Sequence, residues 1–89
     1  MKKKTLILCL KYKWFDLIAL GEKTEEYREI NPYYDIKLRK QYNEIKFVMG
    51  RNWETYVKFK NPKIRIDQGR PEWGAKAGKR YYVITWDKE

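Results

Sequence analysis

The sequence contains no histidine and no serine, and Cys9 is the single cysteine among its 89 residues. The absence of histidine and serine excludes a Ser-His-Asp triad, a Cys-His catalytic pair and every metal site that needs a histidine ligand. A single cysteine excludes an intrachain disulfide and a zinc ribbon, and it fits a reducing compartment. We therefore expect neither a protein-held metal nor a cofactor, while a role for phosphate-bound Mg²⁺ stays open.

Long hydrophobic runs are also missing. The apolar run at residues 6–10 is far shorter than the roughly 18 residues that span a membrane. It follows a run of lysines, and no cleavage site comes after it, so it does not resemble a signal peptide. We expect a cytoplasmic protein with no membrane-inserted segment.

The residues that are present favour one small, basic domain over residues 1–89. Aromatic residues make up 17% of the chain, so a few large rings give a short chain a usable core. The net charge is +9, although residues 21–30 hold four glutamates against two cations. A basic surface favours polyanions, chiefly nucleic acid, through counterion release. The simpler interpretation is that the charge maintains solubility.

The first thirty residues predict a strand, a helix and a second extended segment. Residues 5–10 are continuously apolar, which predicts a buried strand with Cys9 in the core. Residues 13–20 place apolar side chains at helical spacing, and Gly21 ends that helix. Residues 24–30 alternate as an extended segment.

The rest of the chain predicts one more helix and several strands. Asn31-Pro32 begins a helix over residues 32–40, and residues 68–78 form a loop. Strand-like alternation recurs at residues 44–49, 55–60, 63–67 and 81–86. About six short strands and one or two short helices predict an α+β fold, a small β-barrel capped by a helix.

One short segment brings together groups that carry binding or acid–base chemistry. Gly21 lets the chain turn with a positive φ, so Lys23 lies at the junction of helix and strand. Glu26 and Arg28 lie two residues apart on one strand face, so their head groups are expected to meet. Such a cluster can bind phosphate, accept a hydrogen bond from a base edge, or run acid–base catalysis if burial shifts a pKa. The simpler interpretation is a surface salt bridge worth about 0–1 kcal/mol.

This segment, with Gly21, Lys23, Glu26 and Arg28, resembles the G-x-K-x-x-E-x-R motif of the ASCH domain family, part of the PUA-like superfamily. The N-terminal strand, the aromatic-bearing helix directly before the glycine and two later strands agree with the resemblance. It implies a PUA-like β-barrel with a cleft between barrel and helix, where the four motif residues cluster. It also implies that this cleft binds RNA or a nucleotide or nucleoside.

The resemblance implies an alternative as well, because a few small bacterial members of the family are enzymes. One group hydrolyses N4-acetylcytidine, and another has been described as a ribonuclease. In an enzyme the catalytic candidates are Lys23, Glu26 and Thr24, with Lys23 as the base. In the hydrolase group a catalytic threonine lies three residues after the lysine, whereas that position here is Glu26 and the threonine is Thr24. Whether the chain is an enzyme stays open.

Arg51 and Trp73 are further candidates for contact with nucleic acid. Both lie in or beside predicted loops, and tryptophan interleaved with cations suits base stacking, although a tryptophan also fills the end of a barrel. A third possibility is a protein-interaction adaptor, in which the acidic residues 21–30 pair with basic surface elsewhere. The sequence predicts no oligomeric state.

Overall fold

The computed structural model describes residues 4–87 of the chain. The elements in chain order are β1 (Thr5–Leu10), α1 (Tyr12–Ala19), β2 (Glu26–Arg28), α2 (Pro32–Lys37), β3 (Glu44–Met49), β4 (Asn52–Gln68), a 3₁₀ turn (Pro71–Trp73) and β5 (Arg80–Asp87). The predicted α+β class is confirmed. No helix in the described part of the chain is long and apolar enough to cross a membrane.

The strands form one mixed sheet of five strands in the order β1-β3-β4-β5-β2. The β1–β3 pair is parallel, and the other three neighbouring pairs are antiparallel. Within residues 4–87 no backbone ladder joins β1 to β2, so the sheet is not closed and the predicted barrel is not what the structure shows. The physical reason lies in β2, which is three residues long and offers few backbone groups for a further ladder.

The long strand β4 explains why five strands replace the six that the sequence predicts. Asn61-Pro62 was expected to separate two strands, but β4 runs through it as one strand of 17 residues. The first part of β4 pairs with β3 and the second part with β5, and the register shifts between Lys60 and Lys63. Asn61 takes a positive φ of 54°, and Pro62 has no N–H to donate, so the pair forms an irregularity within the strand.

The core lies on one face of the sheet, beneath α1. Leu6, Leu8 and Leu10 of β1 point into it and are buried together with Phe15 and Ile18 of α1. The predicted position of Cys9 in this core is wrong, because Cys9 is exposed. The reason is that β1 is packed on one face only, so alternate side chains point away from the core.

Candidate functional site

The end of α1 turns the chain so that Lys23 enters the protein. Gly21 has a φ of 80°, a conformation that suits glycine. The Gly21 N–H donates to the carbonyl of Ile18 over 3.0 Å, and the Glu22 N–H donates to the carbonyl of Leu17 over 2.9 Å. These two bonds form a Schellman motif, and the Lys23 N–H also donates to the carbonyl of Leu17. The Lys23 side chain is consequently buried, with 1% of its surface exposed.

The three charged groups of the motif converge on one carboxylate. Glu26 is the first residue of β2, which pairs with β5. Only 7% of the surface of Glu26 is exposed. Its Oε1 atom accepts a hydrogen bond from Lys23 Nζ over 2.5 Å, and its Oε2 atom accepts one from Arg28 Nη2 over 2.9 Å. The carboxylate therefore lies between two cations, and the cluster carries one excess positive charge.

Arg28 is held in a fixed orientation by neighbours from three elements. Besides Glu26, its Nη2 atom donates to the Cys9 carbonyl over 2.9 Å, and its Nη1 atom donates to the Tyr34 hydroxyl over 3.0 Å. The side chain is 18% exposed. Its Nε atom is buried and has no hydrogen-bond partner among the described residues. An unpaired buried donor costs about 1–3 kcal/mol.

Lys23 lies behind the carboxylate and beneath two aromatic rings. Its Nζ atom is 5.4 Å from the ring centroid of Trp14 and 5.6 Å from that of Tyr27. Burial lowers the pKa of the Lys23 ammonium below its usual value, while the Glu26 carboxylate opposes part of the shift. Both the rings and the carboxylate favour the charged form, so this lysine supports the site from within the protein.

Two adjoining clefts open over this cluster. The first, which we name the arginine cleft, has a volume of about 350 Å³ and includes Lys11, Arg28 and Tyr34 among its lining residues. The second, which we name the tryptophan cleft, has a volume of about 260 Å³ and includes Trp73 and Lys76. The residues that line both clefts are Trp14, Glu26, Tyr27 and Glu29. The two clefts therefore lie side by side, and we call the pair the depression.

The loop after β4 brings Trp73 to this depression. The Arg70 N–H donates to the hydroxyl of Tyr27 over 2.9 Å, which fastens the start of the loop to β2. Gly74 follows Trp73 with a φ of 94°, and a Cβ atom at this position would lie 3.0 Å from the Trp14 ring. Glycine at position 74 therefore allows the loop to pack closely against Trp14. Trp14 and Trp73 consequently both line the tryptophan cleft.

The structure brings together some of the predicted site residues and leaves others outside. Lys23 does not line either cleft, because Glu26 lies in front of it. Thr24 is exposed beyond the cluster, and Arg51 is exposed in the turn between β3 and β4; neither lines the two clefts. Of the residues that line the arginine cleft, only Glu26 and Arg28 were predicted as site residues; Tyr34 and Lys11 are among those that were not.

The sequence contained one signal for Tyr34. Asn31 caps α2, since its side chain accepts a hydrogen bond from the Tyr34 N–H over 2.9 Å, and Pro32 occupies the first turn. This cap fixes the start of α2 and with it the direction of the Tyr34 ring toward Arg28. Lys11 precedes α1 directly and carries no such signal.

Within residues 4–87 no group of three or more cysteine, aspartate or glutamate side chains is placed to hold a metal ion. The site presents a fixed guanidinium, a shielded carboxylate, a buried ammonium and several aromatic faces. Comparison of the chain with family models, with curated proteins and with solved structures gave no match. The resemblance to the ASCH family thus rests on the motif and on its arrangement.

Proposed function

We propose that this protein binds RNA through a nucleotide held in the adjacent arginine and tryptophan clefts. The observation that carries the proposal is the guanidinium of Arg28, which borders the arginine cleft and is fixed by Glu26, Cys9 and Tyr34. A guanidinium fixed in this way meets a phosphate with little loss of side-chain entropy. The phosphate of the nucleotide binds at Arg28.

The charge around the depression supports an anionic ligand. Lys23 and Arg28 outweigh Glu26 by one charge, and Lys11 and Lys76 add two more cations at the rim. Glu29 also lines both clefts, and its charge is offset in part by Lys79, whose Nζ lies 2.7 Å from Oε1 of Glu29. A partly enclosed site with excess positive charge attracts phosphate more strongly than the open surface does.

The aromatic residues supply a place for the base. Trp14 and Trp73 both line the tryptophan cleft, and stacking of one base on an aromatic ring contributes about 1–3 kcal/mol. Glu26 is buried between Lys23 and Arg28, with 7% of its surface exposed, so we do not assign it as the acceptor for a base edge. Glu29 takes that role, because its pair with Lys79 is exposed and therefore weak.

Membership of the ASCH family and a PUA-like arrangement of the sheet form part of the proposal. The motif supports them, because its glycine ends a helix, its lysine enters the protein, and its glutamate and arginine lie on one strand face. The hydrogen bond from Arg28 to the Cys9 carbonyl also supports a PUA-like arrangement, because this bond connects β2 to β1 across the open side of the sheet.

A hydrolase that acts on N4-acetylcytidine, or a ribonuclease, is the second candidate. The direction of the Lys23 pKa shift favours it, because burial lowers the pKa and makes the ammonium a better proton donor and its amine easier to form. The enclosure of Lys23 behind Glu26 argues against it, since a substrate in the clefts does not reach Nζ. Turnover of N4-acetylcytidine or RNA that disappears in Lys23→Met would establish the enzyme. Binding without turnover leaves the first proposal in place.

Calorimetric titration with ribonucleoside 5′-monophosphates and with the matching nucleosides tests the binding proposal. We expect the monophosphates to bind more tightly, and Arg28→Gln to weaken their binding about tenfold or more, as expected for loss of a charge-assisted contact. The matched control is Arg80→Gln, which removes an exposed arginine that does not line either cleft. Equal affinities in wild type and in a folded Arg28→Gln variant would refute the site.

A further inference from the structure

A larger depression lies on the other side of α2 from the arginine cleft. Two adjoining cavities of about 540 and 610 Å³ share Leu38, Arg39 and Ile64 as lining residues. Their walls come from α2 with the segment after it and from β4 around its irregularity at Asn61. We name the pair of cavities the α2–β4 groove.

The α2–β4 groove carries an excess of unpaired cations. Arg39, Lys40 and Lys63 line it, and none of the three forms an ion pair within residues 4–87. Asp35 is the one carboxylate among the lining residues of the two cavities. Asp35 already accepts a hydrogen bond from the hydroxyl of Tyr82. The charge of the groove is therefore complementary to a polyanion.

Between these cations the groove has an apolar floor with aromatic edges. Leu38 is buried, Ile64 is half-buried and Ile66 is 46% exposed. The rings of Tyr42 and Tyr82 border the floor. Cations along an apolar and aromatic floor suit a single nucleic-acid strand, whose phosphates need positive charge and whose sugars and bases need flat contact surface.

The groove and the arginine cleft are neighbours across one short helix. Tyr34 of α2 lines the arginine cleft, and the next residue, Asp35, lines the groove. Tyr82, which borders the groove, is the register partner of Arg28 in the β2–β5 ladder. A strand with one nucleotide in the clefts therefore needs only to cross α2 to reach the groove.

We infer that the α2–β4 groove binds the sugar–phosphate backbone of a single-stranded RNA whose neighbouring nucleotide occupies the arginine and tryptophan clefts. This inference rests on the proposed function, and it makes the ligand a strand of several nucleotides. Arg39 and Lys63 contact phosphates, because they line the groove from its two opposite walls. Affinity for an oligomer consequently depends on residues that do not affect a mononucleotide.

Binding of a fluorescein-labelled RNA of about ten nucleotides, a length within the usual range of single-strand sites, tests the inference by fluorescence polarisation at several salt concentrations. The variant Arg39→Gln/Lys63→Gln removes two groove cations. The control Lys46→Gln/Lys58→Gln removes two cations that line neither the groove nor the clefts. Calorimetry with a ribonucleoside 5′-monophosphate is run on the same proteins, and circular dichroism confirms their fold.

We expect the groove variant to bind the RNA about tenfold more weakly and to bind the monophosphate as wild type does. Each phosphate contact contributes about 0.7 to the slope of log affinity against log salt for single strands, so the slope should fall by about 1.4. We expect the control variant to keep most of the wild-type affinity and slope.

Three outcomes would overturn the inference. An equal loss in the control variant would show that total charge decides binding. An unchanged RNA affinity in the groove variant, with the monophosphate still bound, would refute the groove alone and leave the proposed function standing. A poly-glutamate peptide that binds as tightly as the RNA, with the same loss in the groove variant, would assign the groove to acidic peptides. Failure of wild type to bind the monophosphate would refute the proposed function itself.

Discussion

The Nη2 atom of Arg28 donates a hydrogen bond to the carbonyl oxygen of Cys9 over 2.9 Å, although the two residues lie on strands at opposite ends of the sheet. A side chain thus links β2 to β1, where no backbone ladder does so among the described residues. The same guanidinium contacts Glu26 and Tyr34. Arg28 consequently supports the fold and borders the candidate binding site at once.

This double role predicts that Arg28→Lys lowers the free energy of unfolding. A lysine presents one compact ammonium, which does not reach the three acceptors that the planar guanidinium contacts. Hydrogen bonds to charged groups contribute about 1.5–3 kcal/mol, so we expect a loss of about 1–3 kcal/mol in urea unfolding. A stability equal to that of wild type would show that the bridge between β1 and β2 contributes nothing.

The pair of Lys23 and Glu26 predicts an unequal response to two single substitutions. Glu26→Gln leaves a buried ammonium without its carboxylate, and breaking a buried pair in this way costs about 3–5 kcal/mol. Lys23→Met costs less, because Glu26 keeps its bond to Arg28 over 2.9 Å.

A double-mutant cycle measures the coupling between the two groups. The variant Lys23→Met/Glu26→Gln should be more stable than Glu26→Gln alone, because the unpaired charge is gone. Urea unfolding of the four proteins gives the coupling energy. Additive losses, with no coupling beyond about 0.5 kcal/mol, would argue against a buried ion pair.

Tyr27 predicts a loss of stability at high pH. Burial raises the pKa of its hydroxyl from 10.0 to about 12, and the bond to Glu25 adds to the shift. Between these two values the folded protein keeps a proton that the unfolded chain has lost, so the free energy of unfolding falls as pH rises from about 10 to about 12.

Urea unfolding of wild type and Tyr27→Phe across this pH range measures how much the Tyr27 hydroxyl proton contributes to the free energy of unfolding. Titration of other groups affects both proteins alike, so the stability of wild type minus that of the variant should be constant below pH 10.0 and should decline above it. If the difference in stability between wild type and variant stayed constant up to about pH 12, the Tyr27 hydroxyl would titrate alike in the folded and the unfolded protein.

The proposed stacking of a base on Trp73 can be tested with Trp53 as the control. Trp73 lines the tryptophan cleft, whereas Trp53 is 56% exposed on β4 and lines neither cleft. We expect Trp73→Ala to weaken nucleotide binding about tenfold, which corresponds to the loss of one stacked base. Trp53→Ala should bind as wild type does in the same calorimetric titration. The reverse order of effects would place the base elsewhere.

Local signals in the sequence predicted much of the secondary structure. The strand over residues 44–49 has its predicted bounds, and α1 begins and ends one residue before its prediction. These elements follow from hydrophobic spacing and from the helix-ending Gly21, and both signals depend only on residues close together in the sequence. The convergence of Glu26 and Arg28 also followed from the two-residue period of a strand.

Features that depend on distant parts of the chain could not be predicted in this way. An apolar run does not show which face of a strand is covered, and Cys9 is exposed because it lies on the face of β1 that points away from the core. The positive φ of Asn61 keeps β4 continuous where a break was expected, since β3 and β5 hold its two parts. The full burial of Lys23 depends on Glu26, Trp14 and Tyr27, which the fold brings around it.

The most direct test of the binding proposal is a nuclear magnetic resonance titration of the ¹⁵N-labelled protein with a ribonucleoside 5′-monophosphate. The Nε–H group of Arg28 reports on the guanidinium that borders the arginine cleft, and Trp14 and Trp73 line the tryptophan cleft. We predict that the largest shifts occur at Arg28 Nε–H and at the indole N–H groups of Trp14 and Trp73. Shifts confined to the indole groups of Trp53 and Trp86, or no shifts at all, would contradict the account.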